Sequence, residues 1–85
     1  MSQLEKAIAK IKSVPKDYTY GEAKALLERL GFIEDNKGKT SGSRVKFVRK
    51  KDQKIISLHR PHPQSIMKSY AIKELKLFLE SIGEI

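Results

Sequence analysis

The residues best equipped for chemistry lie between Gly42 and Pro63, where seven Lys or Arg and both histidines of the chain, His59 and His62, surround one acid, Asp52. An imidazole with an unperturbed pKa of about 6.5 can give or accept a proton near neutrality. A guanidinium is a rigid fork for paired oxygens, above all those of phosphate. Together they suit the handling of a phosphate-bearing polyanion. Charged residues on a solvated surface look the same in sequence, so the elements that position these side chains decide between the two.

The charge is segregated. From Asn36 to Lys73 there are eleven Lys or Arg against Asp52 alone, while the rest of the chain carries seven bases and nine acids, within a net charge of +8 over 85 residues. A one-signed patch of this density favours polyanions, because each neutralised phosphate releases condensed counterions. Eighty-five residues make one domain near the lower limit for a self-sufficient core. The absence of Cys removes disulfide scaffolds and thiolate metal sites and fits a reducing compartment. MSQLEKAIAKIK alternates charged and apolar residues unlike a signal peptide, and no apolar run approaches a membrane span of ~18 residues. A cytoplasmic protein without membrane contacts is expected.

Ser2-Gln3-Leu4-Glu5 is a capping-box pattern, with Leu4, Ile8 and Ile11 following at helical spacing up to Pro15. Thr19-Tyr20-Gly21-Glu22 repeats that box, and Ala23, Leu26, Leu27 and Leu30 form an i, i+3, i+4, i+7 stripe closed by Gly31. Phe32 to Asp35 reads as a short strand, and the Gly-, Ser- and Asn-containing stretch from Asn36 to Gly42 as a loop. Its two glycines are turn residues, since a GK[ST] phosphate-loop signature is absent. Val45, Phe47, Ile56 and Leu58 alternate with polar residues as two strands do. Beyond Pro61 and Pro63, Ser69 is a candidate cap for a last helix burying Ala71, Leu75, Phe78, Leu79 and Ile82, with Gly83 at its end. The order is α-α-β-β-β-α, divided into an N-terminal helical appendage at 1–16 and a main domain at 17–85.

The hairpin fixes the geometry. Whether Lys51-Asp52 is a two-residue turn or Lys50 to Gln53 form a four-residue loop, Val45 opposes Leu58 and Phe47 opposes Ile56, giving an apolar side. The other side then carries Arg44 opposite His59, Lys46 opposite Ser57 and Val48 opposite Ile55. An antiparallel sheet with helices on one side leaves this second face to solvent or ligand. A guanidinium and an imidazole become neighbours there.

Tyr18-Thr-Tyr-Gly-Glu with Leu26-Leu-Glu-Arg-Leu-Gly-Phe, Gly42-Ser43 entering a basic strand, and His62-Pro63 leading through Lys68 into the last helix resemble the HicA-type toxins, the mRNA interferases of HicA–HicB toxin–antitoxin pairs. The resemblance covers residues 18 to 83. It implies an α+β, double-stranded-RNA-binding-domain-like α-β-β-β-α fold with a three-stranded antiparallel sheet, here with an extra N-terminal helix. It also implies metal-independent cleavage of mRNA, no cofactor, and a HicB-like antitoxin that covers the active face. The family places its histidine shortly after the glycine, where this chain has Arg44 and Val45. The register suggests that His59, opposite Arg44, takes over that role from the adjoining strand.

RNA cleavage without a metal needs a base for the 2′-OH proton, donors for charge developing on phosphorus, and an acid for the leaving 5′-oxygen. The catalytic candidates are His59 as base or acid, Arg44 as the phosphate fork, and His62 as the second imidazole. Lys39, Ser43, Lys46, Arg60 and Lys68 are the RNA-binding candidates. His59 and His62 make a poor zinc site, with no Cys or further His to complete it. No serine is marked as an activated nucleophile. Tyr18, Tyr20 and Tyr70 sit beside helix starts, where packing is the commoner role than stacking on bases. Lys50, Lys51 and Lys54 at the hairpin tip are either solvated or follow an RNA backbone. Two rivals stay open: an RNA-binding module without catalysis, and a DNA-binding domain, which no basic helix face supports.

Overall fold

The computed structural model describes residues 3–35, 44–59 and 65–85. Its elements are α1 (Gln3–Lys12), α2 (Tyr20–Arg29), β1 (Ile33–Asp35), β2 (Arg44–Arg49), β3 (Lys54–His59) and α3 (Ser69–Ser81). The three strands form one antiparallel sheet in the order β1-β2-β3. This is the α+β, double-stranded-RNA-binding-domain-like arrangement expected from the sequence, with α1 added in front.

Helix α2 forms as its caps dictate. The Thr19 hydroxyl accepts from the Glu22 backbone N–H at 3.1 Å, and the Thr19 N–H donates back to the Glu22 carboxylate at 3.0 Å. Two of the helix's orphan donors are thereby satisfied. At the other end Gly31 adopts φ +97°, so that its N–H reaches Glu28 O and the Phe32 N–H reaches Leu27 O at 2.9 Å. That double closure throws Phe32 back into the core, where it is fully buried, and the strand begins one residue later than the pattern suggested. Helix α3 closes identically, with Gly83 at φ +79° and the Glu84 N–H on Leu79 O. Its start differs from expectation: Lys68 occupies the N-cap with no side-chain bond, and Ser69 is the first helical residue.

The hairpin register is the expected one: Arg44 opposes His59, Val45 opposes Leu58, Phe47 opposes Ile56 and Val48 opposes Ile55. Strand pairing stops at Arg49 with Lys54, so Lys50 to Gln53 form a four-residue loop. The hairpin-matching two-residue turns need positive φ at one or both central residues, whereas neither Lys51 nor Asp52 has it and the positive φ of the loop falls on Gln53, at +61°.

Val45, Phe47 and Leu58 on the inner sheet face join Ala23, Leu26 and Leu27 of α2 and Ala71, Ile72, Leu75 and Leu79 of α3 in one core. Ile72, missed in the sequence pattern, is fully buried, while Phe78 and Ile82 pack only partly. Helix α1 contributes Ile11 to the same core and is tied to α2 by the Lys10–Glu22 ion pair. The starts of α2 and α3 are also stitched together, by Tyr20 N–H to Ser65 O and Met67 N–H to Tyr18 O, both 2.8 Å. This stitch brings the beginning of α3 to the edge of the sheet that carries His59. No helix among the described residues is long and apolar enough to cross a membrane.

Candidate functional site

The outer sheet face is a grid set by the pleat. Its first row is Arg44 and His59, its second Asp35, Lys46 and Ser57, and its third Ile33, Val48 and Ile55. Arg44, Lys46, Ser57 and His59 are all exposed. Opposed residues on one face hold their Cβ atoms about 5 Å apart, close enough for a guanidinium and an imidazole to contact the same phosphate. Successive rows lie about 7 Å apart along the strand, which puts Lys46 within one further contact. Lys46 also faces Asp35 across the β1–β2 ladder, Nζ to Oδ2 at 3.9 Å.

Helix α3 adds a second wall. His59, Lys68, Tyr70 and Ala71 line one small pocket, so the last residue of β3 and the first turn of α3 share a cavity. That turn holds no acidic residue and no side-chain cap. The positive end of the helix dipole and its backbone N–H groups therefore add to the charge of Lys68, as anion sites at helix starts do. Tyr70, expected to pack, is instead more than half exposed at this pocket, while Tyr18 is buried and Tyr20 lies tilted against Phe47 at 6.4 Å. The phenol of Tyr18, at 1% exposure, is pushed up to about 12 by burial and then by the Glu22 charge.

Of the residues singled out in the sequence, Arg44, Lys46, His59 and Lys68 thus converge on one end of the outer face and its α3 border. His62, Lys39, Ser43 and Arg60 lie outside the described residues. The basic stretch also divides in a way its composition hides. Arg49 points inward and is only 3% exposed, with its guanidinium on Asp52, Glu84 and the carbonyl of Leu30. It belongs to the core, and Asp52, the single acid of the stretch, is its partner. Strand parity alone would have shown this, since residues 45, 47 and 49 share a face. Tyr70 carried no such local signal.

A family described as the HicA toxin of bacterial toxin–antitoxin systems matches residues 20–83. No curated protein and no solved structure matches the chain. The matched segment runs from the first residue of α2 through the sheet to the glycine that closes α3, so it takes in the described outer face and leaves out residues 1–19, with α1 and the Thr19 cap, and the last two residues. The chain belongs to the HicA toxin family, and as such it is a toxin of a toxin–antitoxin system with a cognate antitoxin as its partner.

Proposed function

We propose that the chain is a metal-independent endoribonuclease that cleaves mRNA on the outer face of its sheet, with His59 as general acid or base. The observation that carries this is the placement of His59, opposite Arg44 in the ladder and in one pocket with Lys68. In the proposed reaction His59 takes the proton from a 2′-OH while that oxygen attacks the adjacent phosphorus. Arg44 and Lys68 stabilise the charge that develops on the non-bridging oxygens, and Lys46 holds the neighbouring phosphate. The leaving 5′-oxygen requires a proton, for which His62 is the assigned donor. Lys39, Ser43 and Arg60 complete the RNA contacts in this reading. The antitoxin, of HicB type, silences the toxin by covering the same face.

His59→Ala tests the assignment. Removing a general acid or base costs about 10²–10⁴ in rate, so cleavage of RNA by the purified variant in EDTA should fall by at least a hundredfold with an unchanged melting curve. Undiminished cleavage would reject His59. The absence of the family's histidine at the Arg44 position favours a second reading, in which the same face binds RNA without cutting it. Salt-sensitive retention of intact RNA by the unaltered protein would establish that binder in place of the nuclease.

A further inference from the structure

The turn end of the sheet carries a second cationic cluster that the proposed reaction does not use. A recess there, between the end of α2 and the hairpin loop, is lined by Arg29, Gly31, Ile33, Arg49, Lys50 and Lys51 among others. Two carboxylates lie nearby, Asp52 and Glu84, and both are bonded to Arg49. Asp52 also faces the charge of Lys54. Arg49 and Lys54 thus balance the two acids, and the charges of Arg29, Lys50 and Lys51 are left over. All three are exposed, and the bond from Arg29 to Gln3 Oε1 at 3.1 Å leaves its charge unneutralised.

Between this cluster and the His59 end lies the third row of the outer face. Ile33 and Ile55 are 50% and 53% exposed and flank Val48, in register across all three strands. Ile33 also forms part of the recess, so the apolar row and the cationic cluster are continuous. The face therefore runs cationic, apolar, cationic along β2. From Arg44 along β2 to Lys50, the first residue of the loop, the chain covers about 20 Å at ~3.3 Å per residue. A single strand of nucleic acid, with phosphates at intervals and flat apolar base faces between them, matches that sequence of surfaces.

We infer that the recess of Arg29, Lys50 and Lys51 is a second phosphate-binding subsite, several nucleotides from His59, for the single-stranded RNA that the toxin engages, with Ile33, Val48 and Ile55 taking base faces in between. This rests on the RNA reading of the outer face and extends it to substrate length.

The test uses the full chain and RNA with 2′-O-methyl riboses, which can be bound but not cut. Binding of a trinucleotide and of a decanucleotide is measured over a range of salt for the wild type and for Arg29→Gln/Lys50→Gln/Lys51→Gln. A Lys50→Gln/Lys51→Gln variant keeps the Arg29–Gln3 bond and guards against misfolding. The wild type should gain affinity with length, and the triple variant should lose at least tenfold of that gain. Its log K against log salt slope for the long RNA should fall by about 2, at ~0.7 per lost single-strand phosphate contact. An unchanged length dependence and slope, or an equal loss for both lengths, would overturn the subsite while leaving the His59 site standing. Failure of the wild type to bind either RNA would remove the RNA reading itself and this inference with it.

Discussion

Arg49 grips Asp52 with two parallel bonds, Nε to Oδ1 at 3.0 Å and Nη2 to Oδ2 at 2.7 Å, three residues away across the start of the hairpin loop. Its remaining nitrogen, Nη1, reaches Glu84 at 2.8 Å and the carbonyl of Leu30 at 3.1 Å, and its carbon centre lies 4.9 Å from the Phe32 ring. One side chain thus joins the hairpin loop, the closing turn of α2 and the closing turn of α3. Both glycine-closed helix ends are shaped to meet it, since one presents Leu30 O and the other swings Glu84 into reach.

Arg49→Met should therefore destabilise the fold by about 3 kcal/mol, the low end for breaking a buried pair, because Asp52 and Glu84 are both partly exposed and can hydrate once released. Glu84→Gln, which leaves the Asp52 fork intact, should lose less. Urea denaturation of the two variants provides the comparison, and an Arg49→Met midpoint equal to wild type would show that the cluster is stabilising nothing.

Gly31→Ala should cost about 1–2 kcal/mol. The position sits at φ +97°, which an L side chain rarely adopts, and a Cβ there would stand 3.3 Å from Arg49 Cδ. The backbone strain belongs to residue 31 itself, but the crowding falls on Arg49 Cδ, which the bonded guanidinium holds in place and an untethered Met side chain would be free to yield. Gly31→Ala combined with Arg49→Met should therefore lose less than the sum of the single changes, a coupling read from a double-mutant cycle in denaturant.

Ile11 is fully buried although it lies outside the residues matched by the family. Ile11→Ala should lose about 3 kcal/mol, the usual loss for truncating a fully packed aliphatic side chain. An exposed position on the same helix, Lys6→Ala, should change the midpoint very little. If both variants melted together with wild type, α1 would be a dispensable attachment.

The hairpin register was legible in the sequence because period-two alternation leaves one phase that buries Val45, Phe47 and Leu58, and that phase together with a turn between Lys50 and Gln53 puts His59 opposite Arg44. The caps of α2 were legible for a similar local reason, Thr19, Glu22 and Gly31 each having a fixed backbone duty. Arg49 and Ile72 were not. The first was counted with the basic surface because charge outweighed strand parity, and the second falls between the stripe positions on a helix buried over a wide arc. Tyr70 escaped because its exposure depends on where the bridge between Thr19 and Ile66 sets the start of α3, which no local pattern encodes.

Acid should weaken the fold through two identifiable carboxylates. The Arg49 fork holds Asp52 below its ordinary 3.8, and at Glu22 burial pushes upward but is outweighed by Lys10 and the Thr19 cap, leaving it below 4.5. A depressed folded value means that the stability is complete above the ordinary value and is lost as pH falls through the folded one. Urea midpoints should hold from neutrality to about pH 5 and then decline, and Asp52→Asn/Glu22→Gln should flatten that decline. Gln at residue 22 keeps the reciprocal cap, so an equally steep decline in the double variant would assign acid sensitivity elsewhere.

Asp35 is the one acid in the outward grid, and it draws on Lys46 across the ladder at 3.9 Å. On the proposed function, an RNA phosphate arriving beside Arg44 and His59 has to compete with that carboxylate for the lysine and also meets its repulsion. Asp35→Asn removes both effects with little change in shape, so it should tighten binding of uncleavable RNA a few-fold at low ionic strength. The gain should vanish at high salt, where the Debye length shrinks to about 3 Å at 1 M. Lys46→Gln should weaken binding over the same range, and Asp35→Asn should have almost no further effect in that background, because the charge it liberates is gone. Additive effects of the two changes would mean that Asp35 acts on the RNA directly and that its pairing with Lys46 is incidental.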